Sequence, residues 1–292
     1  MALIPRSTST LIIASLLAPG SVAFADMGPG GIVKSGEVFT FAFLFTLCAC
    51  ISFFINKARS GGQLYIRRIP ALNSISEAVG RATEMGRGCF YIPGIMDIDD
   101  IQTLAGLNIL GSLARKTAEY DAELKVPVSK SMVLSTAQEV VKEAYLRTGH
   151  PDTYDESGIQ YITDDQFAFA AGVNGMIVRE KPAAIVMLGT FYAESLLIAE
   201  TGNHIGAIQI AGTAESSQLP FFVAACDYVL IGEELFAASA YLSQDPMLLG
   251  SLKGQDVAKM LIIFAIIYGS LAETLIQFLG LSPALSLLTF FT

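Results

Sequence analysis

Residues 183–217 read AAIVMLGTFYAESLLIAETGNHIGAIQIAGTAESS. Two short apolar runs, 183–188 and 206–211, each end in Gly-Thr, at Gly189-Thr190 and Gly212-Thr213. Glu-Ser follows each, at Glu194-Ser195 and Glu215-Ser216. Between the runs lies a helical pattern that sets Leu196, Leu197 and Ala199 on one side. A buried strand, a glycine turn, a helix and a second buried strand make a βαβ unit. Such units place ligands at the carboxyl ends of their strands, where both Gly-Thr pairs fall.

The same alternation extends in both directions. A helix is predicted over 74–85, with Ile75, Ala78, Val79 and Ala82 on one face, and a short buried strand over 89–92 ends in Pro93-Gly94. Asp97 is expected to cap a long helix through Ile98, Ile101, Leu104, Leu107, Leu110 and Leu113, whose recurrence predicts one buried face. Residues 126–128 read as a strand followed by Ser129-Lys130-Ser131, and Ser135 with Gln138 reads as a capping box for a helix to Arg147. A polar loop over 150–158 leads to a strand over 160–162. Thr163-Asp164-Asp165-Gln166 then reads as a second capping box, opening a helix through Phe167, Ala170, Val173 and Ile177. A short helix over 218–225 and a last strand over 228–231, ending in Gly232-Glu233-Glu234, close the pattern. The expected fold is Rossmann-like α/β: a mostly parallel sheet with helices on both faces. The strand-ending glycines 189, 212 and 232 recur at 23 and 20 residues. That is the rhythm of short βα units, not of a solenoid.

Hydrophobic residues make up 52% of the 292 and charged ones 15%, with a mean hydropathy of +0.54. That is too apolar for an ordinary soluble enzyme and too charged for a pure membrane bundle. The apolar excess lies at the two ends. Residues 1–25 read as a signal peptide: Arg6 starts it, Leu11 opens its apolar core, Pro19-Gly20 breaks it, and Ala23-Phe24-Ala25 is a cleavage site before Asp26. An uncleaved anchor is the alternative. After a linker over 26–37, residues 38–55 run eighteen positions without a charge. At about 1.5 Å per residue they nearly cross a hydrocarbon core of about 30 Å. Lys57, Arg59, Arg67 and Arg68 follow, and only Lys34 precedes in the mature chain. The positive-inside rule then sets the mature N-terminus outside and residues 56–259 in the cytoplasm. Residues 260–280 form a second expected span, with Lys253 and Lys259 before it, so both mature termini lie outside in the cell-membrane reading. The apolar tail 281–292 is broken at Ser282-Pro283 and is expected at the outer interface or against another subunit. Glu273 and Gln277 stand four apart in the second span. A helix–helix contact, a shallow position and an ion path are the three readings of such intramembrane polar groups.

The candidate ligand-binding residues are Ser129, Lys130, Gly189, Thr190, Glu194, Gly212, Thr213, Glu215 and Ser216. Gly-Thr turns near helix N-termini offer N–H groups and hydroxyls to an anion. The glutamates on the same rim oppose a phosphate unless a metal or Lys130 intervenes, and carboxylates with hydroxyls also suit a hard cation. In the alternative reading the glutamates complement helix dipoles and the hydroxyls are caps. The Rossmann glycine fingerprint and the Walker A pattern are absent. Asp152, Asp155, Glu156, Asp164 and Asp165 miss the EF-hand spacing and read as a solvated loop. Neither His150 nor His204 has a ligand-like companion, and the four cysteines follow no zinc or disulfide pattern. Ser195 and Ser217 have no evident histidine base, so nucleophilic catalysis is weakly supported. The net charge of −9 argues against nucleic acid as a partner.

The chain resembles an uncharacterised family of prokaryotic membrane proteins of unknown function. The resemblance runs from about Arg67 to Lys259 and rests on RRIPALNSISEAVGRATEMGRGCFYIPG, VPVSKSMVLSTAQEVVKEAYL, AAIVMLGTFYAESLLIAETG and LIGEELFAASAYLSQDP. It implies membrane residence and brings no activity, cofactor or catalytic residue. The expected function is a membrane-anchored α/β module, non-enzymatic, forming a homo-oligomeric scaffold or sensing a small ligand or ion. A membrane-bound enzyme using strand-end carboxylates, and a transport component using Glu273, are the alternatives.

Overall fold

The computed structural model describes residues 38–60, 70–243 and 245–279. The expected signal segment, linker and tail, and Arg67 and Arg68, lie outside the described residues, as does the Gln277 side chain. In chain order the helices are α1 (Val38–Arg59), α2 (Pro70–Met85), α3 (Ile101–Glu119), α4 (Ser131–Thr148) and α5 (Gln166–Glu180), then α6 (Glu194–His204), α7 (Leu219–Ala225), α8 (Glu233–Ser243) and α9 (Pro246–Leu279). The strands are β1 (Cys89–Gly94), β2 (Leu124–Val128), β3 (Ile159–Tyr161), β4 (Ala184–Thr190), β5 (Ile208–Thr213) and β6 (Tyr228–Ile231).

The strands form one parallel sheet in the order β3-β2-β1-β4-β5-β6. Every residue of β4 is buried, as expected of a central parallel strand covered on both faces. Period-two alternation splits its side chains between two cores. Ala184, Val186 and Leu188 join Cys89 and Tyr91 under α2, α3, α4 and α8. Ile185 and Met187 join Phe90 and Ile92 under α5, α6 and α7. Burial pushes the Cys89 thiol up to about 12, so it behaves as a small neutral core side chain. Cys226 follows, pushed to about 12 by burial and then by the neighbouring Asp227.

Helix α3 lies close against the sheet because of one glycine. A Cβ at Gly106 would sit 2.4 Å from the Leu188 carbonyl oxygen. The buried Tyr91 hydroxyl donates to the Gly106 carbonyl at 2.5 Å. Between β1 and β2 the ladder runs through Cys89↔Leu124 and Phe90↔Lys125 and stops before Pro127, which has no N–H to offer. Past that point the Ser129 hydroxyl donates to the Ile95 carbonyl at 3.2 Å and ties the two strand ends.

Several local expectations are corrected. Helix α3 is capped by Asp100, not Asp97: the Asp100 carboxylate accepts from the Thr103 N–H. Leu107, Leu110 and Leu113 are buried, but Ile101 and Leu104 are exposed. A strict three-residue recurrence drifts about 60° per step around a helix of 3.6 residues per turn, so it leaves one face within a few steps. Ser135 caps nothing. It lies inside α4 and donates back to the Met132 carbonyl, and the helix begins one turn earlier after Lys130. Helix α5 is capped by Asp165, whose carboxylate accepts from the Ala168 N–H. Leu196 and Leu197 face out of α6, while Ile198 and Ala199 are buried. The two Gly-Thr pairs are the last residues of β4 and β5, not turns.

The chain divides into two units. Within Ala49–Met260, α1 and α9 approach backbone to backbone. A Cβ at Gly250 would lie 2.5 Å from the Ile55 Cα, and one at Gly254 would lie 2.7 Å from the Ile51 Cα. One helix climbs by four as the other descends by four, so they run antiparallel here. The close approach uses a G-x-x-x-G spacing. The other unit is described over 38–48 and 261–279. Its Phe41, Phe43, Phe45, Phe264, Ile266 and Phe278 all face outward. Among the described residues one helix, over Pro246–Ile276, is long and apolar enough to cross a membrane.

Gly106→Ala should lower stability by about 1–3 kcal/mol, the usual cost of overpacking, in urea unfolding of the detergent-solubilised protein. Gly175→Ala in α5 is the matched control. A Cβ there meets nothing within 4 Å, so the change should be neutral or stabilise by up to about 1 kcal/mol.

Candidate functional site

The sheet order reverses between β1 and β4, where open parallel sheets of this order hold their ligands. Here the two strand ends touch. A Cβ at Gly189 would sit 2.1 Å from the Pro93 carbonyl oxygen, and one at Gly94 would sit 2.5 Å from that of Thr190. Both glycines have positive φ, +153° and +93°, a region that a side chain would strain. The register slips by one residue at this point, from Ile92↔Met187 to Gly94↔Thr190, a bulge in β4.

Buried side chains complete the closure. The Thr190 hydroxyl donates to the Asp100 carboxylate, and the Ile95 N–H donates to the Thr190 carbonyl at 3.1 Å. The Thr213 hydroxyl donates to the Gln102 side-chain oxygen at 3.2 Å and accepts from the Glu215 N–H at 3.2 Å. The same Gln102 oxygen takes the Ala214 N–H at 2.6 Å. Asp100 and Gln102 thus link the ends of β4 and β5 to the start of α3. The segment MDIDDIQT carries them, and its acidic run signals a helix cap, but nothing in it names partners some 90 and 111 residues away.

Glu194 is fully buried. Its oxygens accept from the Tyr192 N–H at 2.8 Å and from the Gln166 side-chain amide at 2.5 Å. It also stands at the start of α6, where the helix dipole favours an anion. The Ser195 hydroxyl lies within bonding distance of the Tyr192 carbonyl, 2.7 Å, and of the Gln218 side-chain oxygen, 3.0 Å. Ser129 is spent on Ile95, and Lys130 turns toward Asp164 at 3.8 Å. A Cβ at Gly212 would meet the Leu188 and Leu230 side chains at 2.7 and 2.9 Å, so that glycine serves packing. Glu215 is half-buried and Ser216 exposed. The structure therefore gathers Ser129, Gly189, Thr190 and Thr213 around the β1 loop and α3. It sets Glu194 apart, against α5, and leaves Ser216 at the surface. Glu273 is half-buried on α9.

A family model described as Domain of unknown function (DUF6754) matches residues 30–282. The chain belongs to that family. No curated protein and no solved structure matches it.

The opposite edge of the sheet holds a cleft of about 230 Å³. It lies at the amino ends of β2 and β3. Leu124, Val141 and Ile159 line it together with Asp121, Glu123, Tyr145, Tyr154 and Asp155. The two tyrosine rings meet edge to face at 6.0 Å. The residues come from four segments spread over 117–159, and their amphipathic spacing reads in sequence as ordinary helix and loop.

Thr190→Val and Thr213→Val should each cost about 1–3 kcal/mol of stability, because the first takes a donor from the half-buried Asp100 carboxylate and the second takes one from the buried Gln102 oxygen. Denaturant titration checks this. Unchanged stability would return both hydroxyls to the role of ligand contacts.

Proposed function

We propose that this chain is a membrane-anchored α/β module that works by binding and assembly, not by catalysis. The switch point carries the reading. The groups that an enzyme of this fold would turn toward a substrate are spent on one another: Thr190 on Asp100 and Thr213 on Gln102. Glu194 is likewise spent on the Tyr192 N–H and Gln166.

In this reading residues 38–55 and 260–280 are two spans and the α/β domain lies in the cytoplasm. The antiparallel approach of Ile51 and Ile55 to Gly254 and Gly250 supports a hairpin of the two helices. In sequence Lys57 and Arg59 follow the first span, and Lys253 and Lys259 precede the second, as the positive-inside rule asks. Large apolar side chains face outward along the rest of α9, a surface that lipid and copies of the chain would cover.

A reporter fused after Met27 should be exported, and one inserted at 150–158 should stay cytoplasmic. An exported loop reporter would overturn the topology. Mass measurement of the intact protein in mild detergent should show a homo-oligomer. A stable monomer would end the assembly half of the reading.

A further inference from the structure

We propose that the carboxyl edge of the sheet lies on the bilayer surface, with Ile101, Leu104 and Ile231 set among zwitterionic headgroups. This rests on the two-span reading above and names the face of the domain that meets lipid.

The path of α9 carries the proposal. Helix α8 starts at Glu233, just past the end of β6, and so begins at the carboxyl edge. Its last turn lies at the amino edge, where the Leu242 carbonyl accepts from Arg115 in the later turns of α3. Helix α9 starts from there at Pro246 and returns alongside. About 20 Å further along its axis, at 1.5 Å per residue, the Lys259 ammonium donates to the Glu233 carboxylate. Helix α9 therefore leaves the domain at the carboxyl edge. Its apolar run opens at the next residue, Met260, and the next charge after Lys259 is Glu273. A span that opens beside Glu233 sets the hydrocarbon boundary near the level of this edge.

The edge itself is apolar where α9 leaves it. Helix α3 runs beside α8, with the Asn108 side-chain amide donating to the Ser239 hydroxyl at 3.2 Å. The first turns of the two helices therefore stand level. Ile101 opens α3 and is 69% exposed, with Leu104 at 46%. Its neighbours Asp100 and Gln102 are held by Thr190 and Thr213, which leaves Ile101 outward between them. Ile231, the last residue of β6, is 52% exposed. Met132 and Phe167, each the second residue of its helix, are exposed along the same edge. First turns favour capping and acidic side chains, so large apolar ones turned to solvent there have no capping use. Side chains of this kind seat in the headgroup and acyl boundary.

Charge selects the lipid. Asp99, Asp164, Asp165 and Glu233 are exposed on this edge, and Lys130 and Lys259 are already paired with Asp164 and Glu233. Such a surface is repelled by anionic headgroups. It suits zwitterionic ones, whose outermost group is a cation.

The chain contains no tryptophan, so a single introduced indole is a unique reporter. Full-length Ile101→Trp, Ile231→Trp, Leu146→Trp and Ile266→Trp are reconstituted in phosphatidylcholine nanodiscs, plain or brominated on the acyl chains near the headgroup. Each position is exposed, so the fold is kept. Ile266 lies in the second expected span, and Leu146 lies at the amino edge near the end of α4. Ile101→Trp and Ile231→Trp should emit at shorter wavelength in discs than Leu146→Trp and lose intensity to the bromines, as Ile266→Trp does. Leu146→Trp should keep its intensity. Quenching of Ile266→Trp with none at Ile101→Trp and Ile231→Trp would overturn the proposal and leave the span standing. Quenching of Leu146→Trp equal to that of Ile101→Trp would overturn it too. An unquenched Ile266→Trp would remove the span itself, and the proposal with it.

Discussion

The backbone contact between Pro93 and Gly189 governs the carboxyl edge of this sheet. Only a residue without a Cβ lets β4 press against the end of β1 at that point. The approach brings the Ile95 N–H to the Thr190 carbonyl and sets the Thr190 hydroxyl on Asp100. Asp100 is also the cap of α3, so one carboxylate joins a strand end to a helix start. Helix α3 is then held nearly two turns further on, where Gly106 meets Leu188. A bulge, two glycines and a cap act as one joint.

That joint changes what the fold offers. The crevice between β1 and β4 in sheets of this order is a place for phosphates and dinucleotides. Here buried Thr190, Thr213 and Gln102 and the half-buried Asp100 fill it with mutual hydrogen bonds, each satisfying a group that is costly to leave unpaired. The amino edge has the opposite character, with carboxylates and phenols standing around an open slot. One end of the sheet is closed by hydrogen bonds among its own residues, while the other end keeps an open cleft.

Much of the fold was legible because local rules and burial agreed. The apolar runs at 183–188 and 206–211 read as strands because a parallel strand covered on both faces needs no polar alternation. The boundaries were less legible. Helix caps depend on which of several nearby acidic residues reaches an N–H, and in DIDD the third, not the first, does so. Ser135 has the spacing of a capping box, yet it lies inside α4, since spacing carries no information about where the turn before it begins. The pattern sets Leu196, Leu197 and Ala199 on one side of α6, but the structure parts them: both leucines are exposed and the buried stripe belongs to Ile198 and Ala199, since successive helix residues stand about 100° apart.

The candidate site was legible only as a list of residue types. Ser129, Thr190, Thr213 and Glu194 stand out as polar groups beside glycines and strand ends, and the structure buries all four. Their partners Asp100, Gln102, Ile95 and Gln166 are remote in the chain, so whether each hydroxyl or carboxylate faces a ligand or a neighbour is a question of long-range geometry. The amino-edge cleft was invisible, since no motif unites Asp121, Tyr145 and Asp155. By itself the sequence determined the βα alternation, the apolar ends and the acidic balance, because these follow from composition and period over short windows. Tertiary structure alone decided the strand order, the closure at Gly189 and the placing of open polar groups at the opposite edge, because each depends on backbones meeting across dozens of residues.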